Sequence, residues 1–150
     1  MNNELFAELK KYREHSNKTT IKKMLSNPNL SNVFQKLSIT ELDVIALIAD
    51  TNPKISDLLP HVNMTQGAVS KLVNRLVKNS FVEKYHKENN QKDTYLRLTA
   101  LGKQAEKAHQ QFHVELNKQL NQAVKNFSEK EIETATKVLK QINKVRDTLD

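Results

Sequence analysis

Cysteine is absent from the 150 residues, which excludes a disulfide framework, a thiolate zinc site and thiol-based redox sensing in one step. Glycine occurs twice and proline three times, too few turn-formers for a many-stranded sheet. Two glycines also leave no glycine-rich phosphate loop. The Ser, His and Asp residues are scattered and no carboxylate pair stands out, so an enzyme is not expected. There is no apolar run of about twenty residues and no signal-peptide pattern, and the expectation is a cytoplasmic protein that stays off the membrane. Aromatics make up only 5% of the chain, while Leu, Lys, Gln, Glu and Ala dominate long runs. A mostly helical fold follows, as one unit of about a single domain's length.

Acidic charge is the scarcer sign. The formal net charge is +7 and the pI about 9.5, which points to a polyanionic partner. Between Thr65 and Arg97 there are seven basic residues (Lys71, Arg75, Lys78, Lys84, Lys87, Lys92, Arg97) against three acidic ones (Glu83, Glu88, Asp93). The stretch from Ser56 to Val82 reads as two short helices, a tight turn and a strand entry. Thr65 is placed to cap the second helix, and Val69, Leu72, Val73, Leu76 and Val77 recur at helical spacing on one buried stripe. Gly67, Ser70, Lys71, Asn74 and Lys78 fall opposite. Short hydrogen-bonding groups and cations without bulky apolar residues suit a helix lying in the DNA major groove. A solvated amphipathic helix would show the same alternation.

The rest of the chain supplies a frame for that helix. Residues 3 to 25 suit a helix ended by the turn-forming stretch Ser26 to Asn29. Ser38 and Glu41 fit a capping box for a helix from Ile39 to about Asp50, closed by Asn52 and Pro53. A helix around Asp57 to Val62 is expected to carry Pro60 in its first turn, and Asn63 to supply a left-handed elbow. Val82 to His86 and Thr94 to Thr99 alternate as two antiparallel strands joined by a polar, mobile loop, Lys87 to Asp93. Such a hairpin must rest on the helices as a wing. Thr99 then caps a helix to about Asn126. Ser128 and Glu131 form a second capping box, and the last helix repeats the apolar stripe. Two long amphipathic helices carry more apolar face than one subunit covers, so pairing with a second copy is expected.

The order helix, turn, Thr65-Gln66-Gly67-Ala68-Val69-Ser70-Lys71-Leu72-Val73-Asn74-Arg75-Leu76, wing, Leu98-Thr99 and Leu101-Gly102 resembles the MarR family of bacterial transcription regulators along nearly the whole chain. The resemblance implies a winged helix-turn-helix lobe, residues 38–99, flanked by dimerisation helices, 1–37 and 100–150. It implies a homodimer on a pseudo-palindromic operator in double-stranded DNA, acting as a repressor released by a small-molecule effector. Thr65, Gln66, Gly67, Ser70, Lys71, Asn74 and Arg75 match the family's recognition helix, and Lys87 and Lys92 would hold the DNA backbone. The wing departs from the pattern. Asn90 and Lys92 stand where the family has Asp and Arg, and Ser80 replaces a usual glycine, which implies a strained backbone or a shifted helix end.

Two other functions remain open at this level. His109 and His113 are four apart on one helix, as zinc ligands would be, and the family's zinc-uptake regulators place histidines similarly. Asp43 matches another ligand position, with His15 or Glu14 as a remote fourth. Accidental histidine pairs on solvated helices compete with that idea. A winged-helix module for protein contacts is the other alternative, separable by its weaker salt dependence. His61 and His86 read as surface residues of the DNA lobe.

Overall fold

The computed structural model describes residues 3–25 and 32–149, and their side chains apart from those of 15–25, 32 and 33. The helix break expected at Ser26 to Asn29 lies outside the described residues. The elements run α1 (Asn3–Leu25), a 3-10 turn (Asn32–Lys36), α2 (Ile39–Thr51), a second 3-10 helix (Ile55–His61), α3 (Gln66–Lys78), β1 (Val82–Lys87), β2 (Asn90–Leu98), α4 (Ala100–Val124) and α5 (Glu129–Asp147). They form two compact units, Met1–Phe112 and His113–Asp150.

The first unit holds the core. Leu42, Val44, Ile45 and Ile48 of α2 meet Val69, Val73 and Leu76 of α3, with Leu58, Phe81, Val82, Leu96 and Leu98 closing the cluster and Phe34 against Phe81. Both expected capping boxes are present. Ser38 Oγ accepts from the Glu41 amide while Glu41 accepts from the Ser38 amide, and Ser128 and Glu131 repeat the exchange. In the second unit α5 buries no residue, and Val114, Leu120, Val124, Phe127, Ile132, Val138, Leu139, Val145 and Leu149 are exposed.

The hairpin is tighter than its polar composition suggests. β1 and β2 pair antiparallel through Val82↔Leu98, Lys84↔Leu96 and Tyr85↔Tyr95, slip after Tyr85, and resume at Lys87↔Asn90. The expected loop from Lys87 to Asp93 is thus mostly strand, with only Glu88 and Asn89 in the turn. The reason is Asn90, whose Oδ1 accepts from the amides of Lys92 and Asp93 and so replaces backbone partners the turn would lack. Leu96 and Leu98 face inward and Arg97 outward, as alternation requires. Lys54 makes the single strand-like contact open to it, a bridge to Tyr95, and Leu96 donates to the Pro53 carbonyl.

The elbow before α3 differs from expectation. Among described residues other than glycine only Asn52 (φ 46°) and Ser80 (φ 64°) are left-handed, so Asn63 is not. A 3-10 helix followed by extended Val62 turns the chain instead. Pro60 sits near the end of that helix, not in its first turn, where a short 3-10 segment loses just one bond to it.

Ser80 ends α3. Its left-handed backbone lets its own amide bond the Val77 carbonyl and the Phe81 amide bond that of Leu76, the paired closure that usually recruits glycine. Thr99 locks the same corner: its amide donates to Phe81, its hydroxyl to Ser80, and its oxygen accepts from the Gly102 amide. A Cβ on Gly102 would lie 2.0 Å from the Phe81 carbonyl oxygen, so only glycine fits there. A left-handed non-glycine residue costs roughly 1–2 kcal/mol, offset by about 0.4–1 kcal/mol of extra chain entropy when glycine replaces it. Ser80→Gly should therefore raise the urea midpoint, by an equivalent of about 0.5–1 kcal/mol. A lower midpoint would show that the serine side chain contributes more than its backbone strain costs.

Candidate nucleic-acid interface

Helix α3 is set by its two faces. Thr65 is its N-cap, Oγ1 accepting from the Ala68 amide at 3.3 Å. Val69, Val73 and Leu76 are buried, and this burial fixes the roll of the helix so that Gln66, Gly67, Lys71, Asn74 and Lys78 are exposed and Ser70 half-exposed. A Cβ on Gly67 would meet nothing within 4 Å. Glycine is not required there by the fold, and the open space leaves room for another molecule's backbone to approach.

Two clefts flank α3. One, about 300 Å³, lies between the helix and the wing and brings Gln66 and Ser70 together with Lys54, Lys92 and Asp93. The other, about 740 Å³, opens on the α2 side and is lined by Lys71 and Arg75 with Ser38, Thr40, Asp43 and His61. Lysine or arginine therefore stands on both sides of the exposed helix. The sequence-derived set Gln66, Ser70, Lys71 and Lys92 is gathered on or beside α3. Lys87 lines neither cleft, and its ammonium lies 4.2 Å from the centre of the Tyr95 ring. Tyr95 packs on Tyr85, and Tyr85 carries Arg97 on its ring. Sequence alternation gave no sign of that ladder.

Arg75 has a partner that spacing could not reveal. Its Nε donates to Glu41 Oε1 at 2.6 Å, across 34 residues, and Glu41 is only 1% exposed. Glu41 thus serves the α2 capping box with one oxygen and Arg75 with the other. Burial pushes its carboxyl up, but the hydrogen bonds from Arg75 and the Ser38 amide outweigh it and hold the pKa below the ordinary 4.5. Arg75 is raised in return, by the same hydrogen bond and charge.

The wing root is held in a similar way. The Asp93 carboxylate accepts from Asn90 at 2.8 Å and from Lys54 at 3.4 Å, and the His86 ring bonds the Asp93 carbonyl. The hydrogen bond from Asn90, then the charge of Lys54, holds the Asp93 pKa down, and Asp93 raises that of Lys54. The Asn90 substitution at the wing therefore has a structural use. Lys84 was not singled out from sequence either. Its ammonium donates to Asn74 Oδ1 at 2.7 Å, joining β1 to the exposed side of α3.

Asp43 is exposed on α2, His109 is buried on α4 and His113 is exposed. Among the described residues no group of three or more His, Asp or Glu side chains could hold an ion. His109 Nδ1 lies 3.8 Å from Glu106 instead, and the side chain of His15 lies outside the description. Glu14 pairs with Lys10 at 3.9 Å. No described helix is long and apolar enough to cross a membrane.

Comparison with known proteins agrees with this geometry. The MarR family model matches residues 37–94, which contain α2, α3 and β1. The uncharacterised HTH-type transcriptional regulator YhjH of Bacillus subtilis is 24% identical over 108 residues, 71% of this chain and 62% of that protein. The chain therefore spans under two thirds of that relative. Transcriptional regulator AdcR of Streptococcus pyogenes is 29% identical over 102 residues, 68% of this chain and 69% of AdcR. Among solved structures, Streptococcus pneumoniae FabT in complex with DNA shares the fold at a TM-score of 0.78 with 19% identity, covering 100% of both chains.

Glu41→Gln keeps a capping side chain but removes the charge facing Arg75, and should cost about 1–3 kcal/mol at neutral pH. Because the folded pKa of Glu41 is depressed, its contribution is complete above 4.5 and is lost as pH falls through the lower folded value. The gap between wild type and Glu41→Gln in urea titrations should close below pH 4.5. A gap independent of pH would mean that the carboxylate's charge contributes nothing.

Proposed function

From the match of the MarR family model to residues 37–94 and the geometry of α3, we propose that the chain is a MarR-type homodimeric transcriptional repressor that binds a pseudo-palindromic operator in double-stranded DNA. Helix α3 enters the major groove. Gln66, Ser70 and Asn74 read base edges, Lys71 divides its charge between a base and a phosphate, and Lys92 follows the backbone from the wing. Arg75 supports the helix from Glu41 and offers its remaining N–H groups to a phosphate.

One observation carries this proposal: a capped helix with its apolar side sealed in the core and its polar side exposed between two clefts that each bear lysine or arginine. An ordinary surface helix needs no such flanking. The dimer rests on a second observation. α1 exposes Leu5, Phe6 and Tyr12, and the His113–Asp150 unit exposes nine large apolar side chains. Faces of this kind are covered by a second copy in a protein that stays in solution. Two copies then present their α3 helices about 34 Å apart, one turn of duplex.

Lys71→Ala should weaken operator binding in gel-shift titrations by about 1–3 kcal/mol. Gly67→Ala should leave the fold at least as stable, since alanine is the better helix former, while lowering DNA affinity because its methyl fills the space kept open on α3. Unchanged affinity in both would remove α3 from the interface.

A further inference from the structure

We propose that Lys84, on β1, sets which base Asn74 reads, making Asn74 a reader of guanine and not of adenine. The proposal rests on the assignment of α3 to the major groove and deepens it.

An asparagine amide has two different ends, an acceptor oxygen and a donor nitrogen. In the major groove asparagine pairs with adenine by using both, accepting from N6 and donating to N7. That pairing requires the oxygen to face the base. Here Asn74 Oδ1 is 2.7 Å from Lys84 Nζ. An ammonium donates and never accepts, so the amide cannot be turned around at this contact, and its oxygen must be the end that faces Lys84. The Nδ2 group keeps both of its donors for the groove, while Oδ1 keeps one lone pair beside the Lys84 charge. Guanine offers two acceptors on one edge, O6 and N7, with no donor beside them. The donor end of Asn74 matches that edge, whereas the N6 donor of adenine would have to share Oδ1 with a positive ammonium.

Lys84 is well placed to hold this orientation. It pairs with Leu96, whose side chain is fully buried, so Lys84 lies on the face of β1 that leans on the core beside α3. On the free protein the contact is exposed and contributes little. In a groove that excludes water the charge-assisted bond is stronger.

The test is selection from a pool of random duplexes with the full-length wild type, Lys84→Met, Lys84→Arg and Asn74→Ala, followed by competition titrations with each base at the selected positions. Asn74→Ala should flatten the preference at one position per half-site. At that position wild type should favour guanine over adenine by roughly tenfold, Lys84→Met should move the ratio towards adenine by roughly tenfold, and Lys84→Arg should behave as wild type. Adenine preferred by wild type, or an Asn74 substitution that alters no position, overturns the proposal while leaving DNA binding intact. So does a uniform loss of affinity in Lys84→Met with base preference unchanged, which would place Lys84 on a phosphate. If wild type selects no sequence at all, the assignment of α3 fails with it.

Discussion

The carboxylate of Glu41 is the constraint on which the site depends. It is taken out of water at the N-terminus of α2, where it closes a capping box, and its other oxygen holds Arg75. A buried charge of this kind is costly unless every lone pair has work, so the two helices cannot slide or roll independently without leaving it unsatisfied. Apolar packing of Val69, Val73 and Leu76 is tolerant of small rotations, whereas a hydrogen bond of 2.6 Å is not. The core chooses which side of α3 faces out. The ion pair sharpens its direction.

The wing follows the same logic at a looser scale. Its root is tied by Asp93 to Asn90 within the hairpin and to Lys54 from the segment before the second 3-10 helix. Pro53 and Lys54 add a single backbone bridge to β2, so the hairpin is positioned by backbone as well as by charge. Lys84 then crosses from β1 to α3. Helix, wing and the bridge at Pro53 and Lys54 hold cations on two sides of the exposed face.

Much of the fold was legible because local rules set it. The Ser38–Glu41 and Ser128–Glu131 boxes, the Thr65 cap and the α3 stripe depend on residues three or four apart, and each is present. The strain expected at Ser80 is there as a left-handed backbone. What the sequence concealed depends on contacts across distance: Glu41 with Arg75 over 34 residues, Lys54 with Asp93 over 39. Asn63 and the wing tip were misjudged for a related reason. Asn favours both left-handed turns and side-chain turns, and composition does not say that Asn90 makes a side-chain turn while Asn63 takes no left-handed backbone. Only His109 and His113 among the metal candidates share a helical spacing, and among the described residues no three His, Asp or Glu side chains are grouped to hold an ion.

Dimethyl sulfate footprinting of the protein on a selected operator tests the central claim most directly, because the reagent attacks guanine N7 in the major groove. The account predicts two protected clusters centred about 10 base pairs apart on one face of the duplex, each lost in a variant whose α3 polar side carries Lys71→Ala and Asn74→Ala. Protection confined to the minor groove, or a single cluster unaffected by those changes, would contradict it.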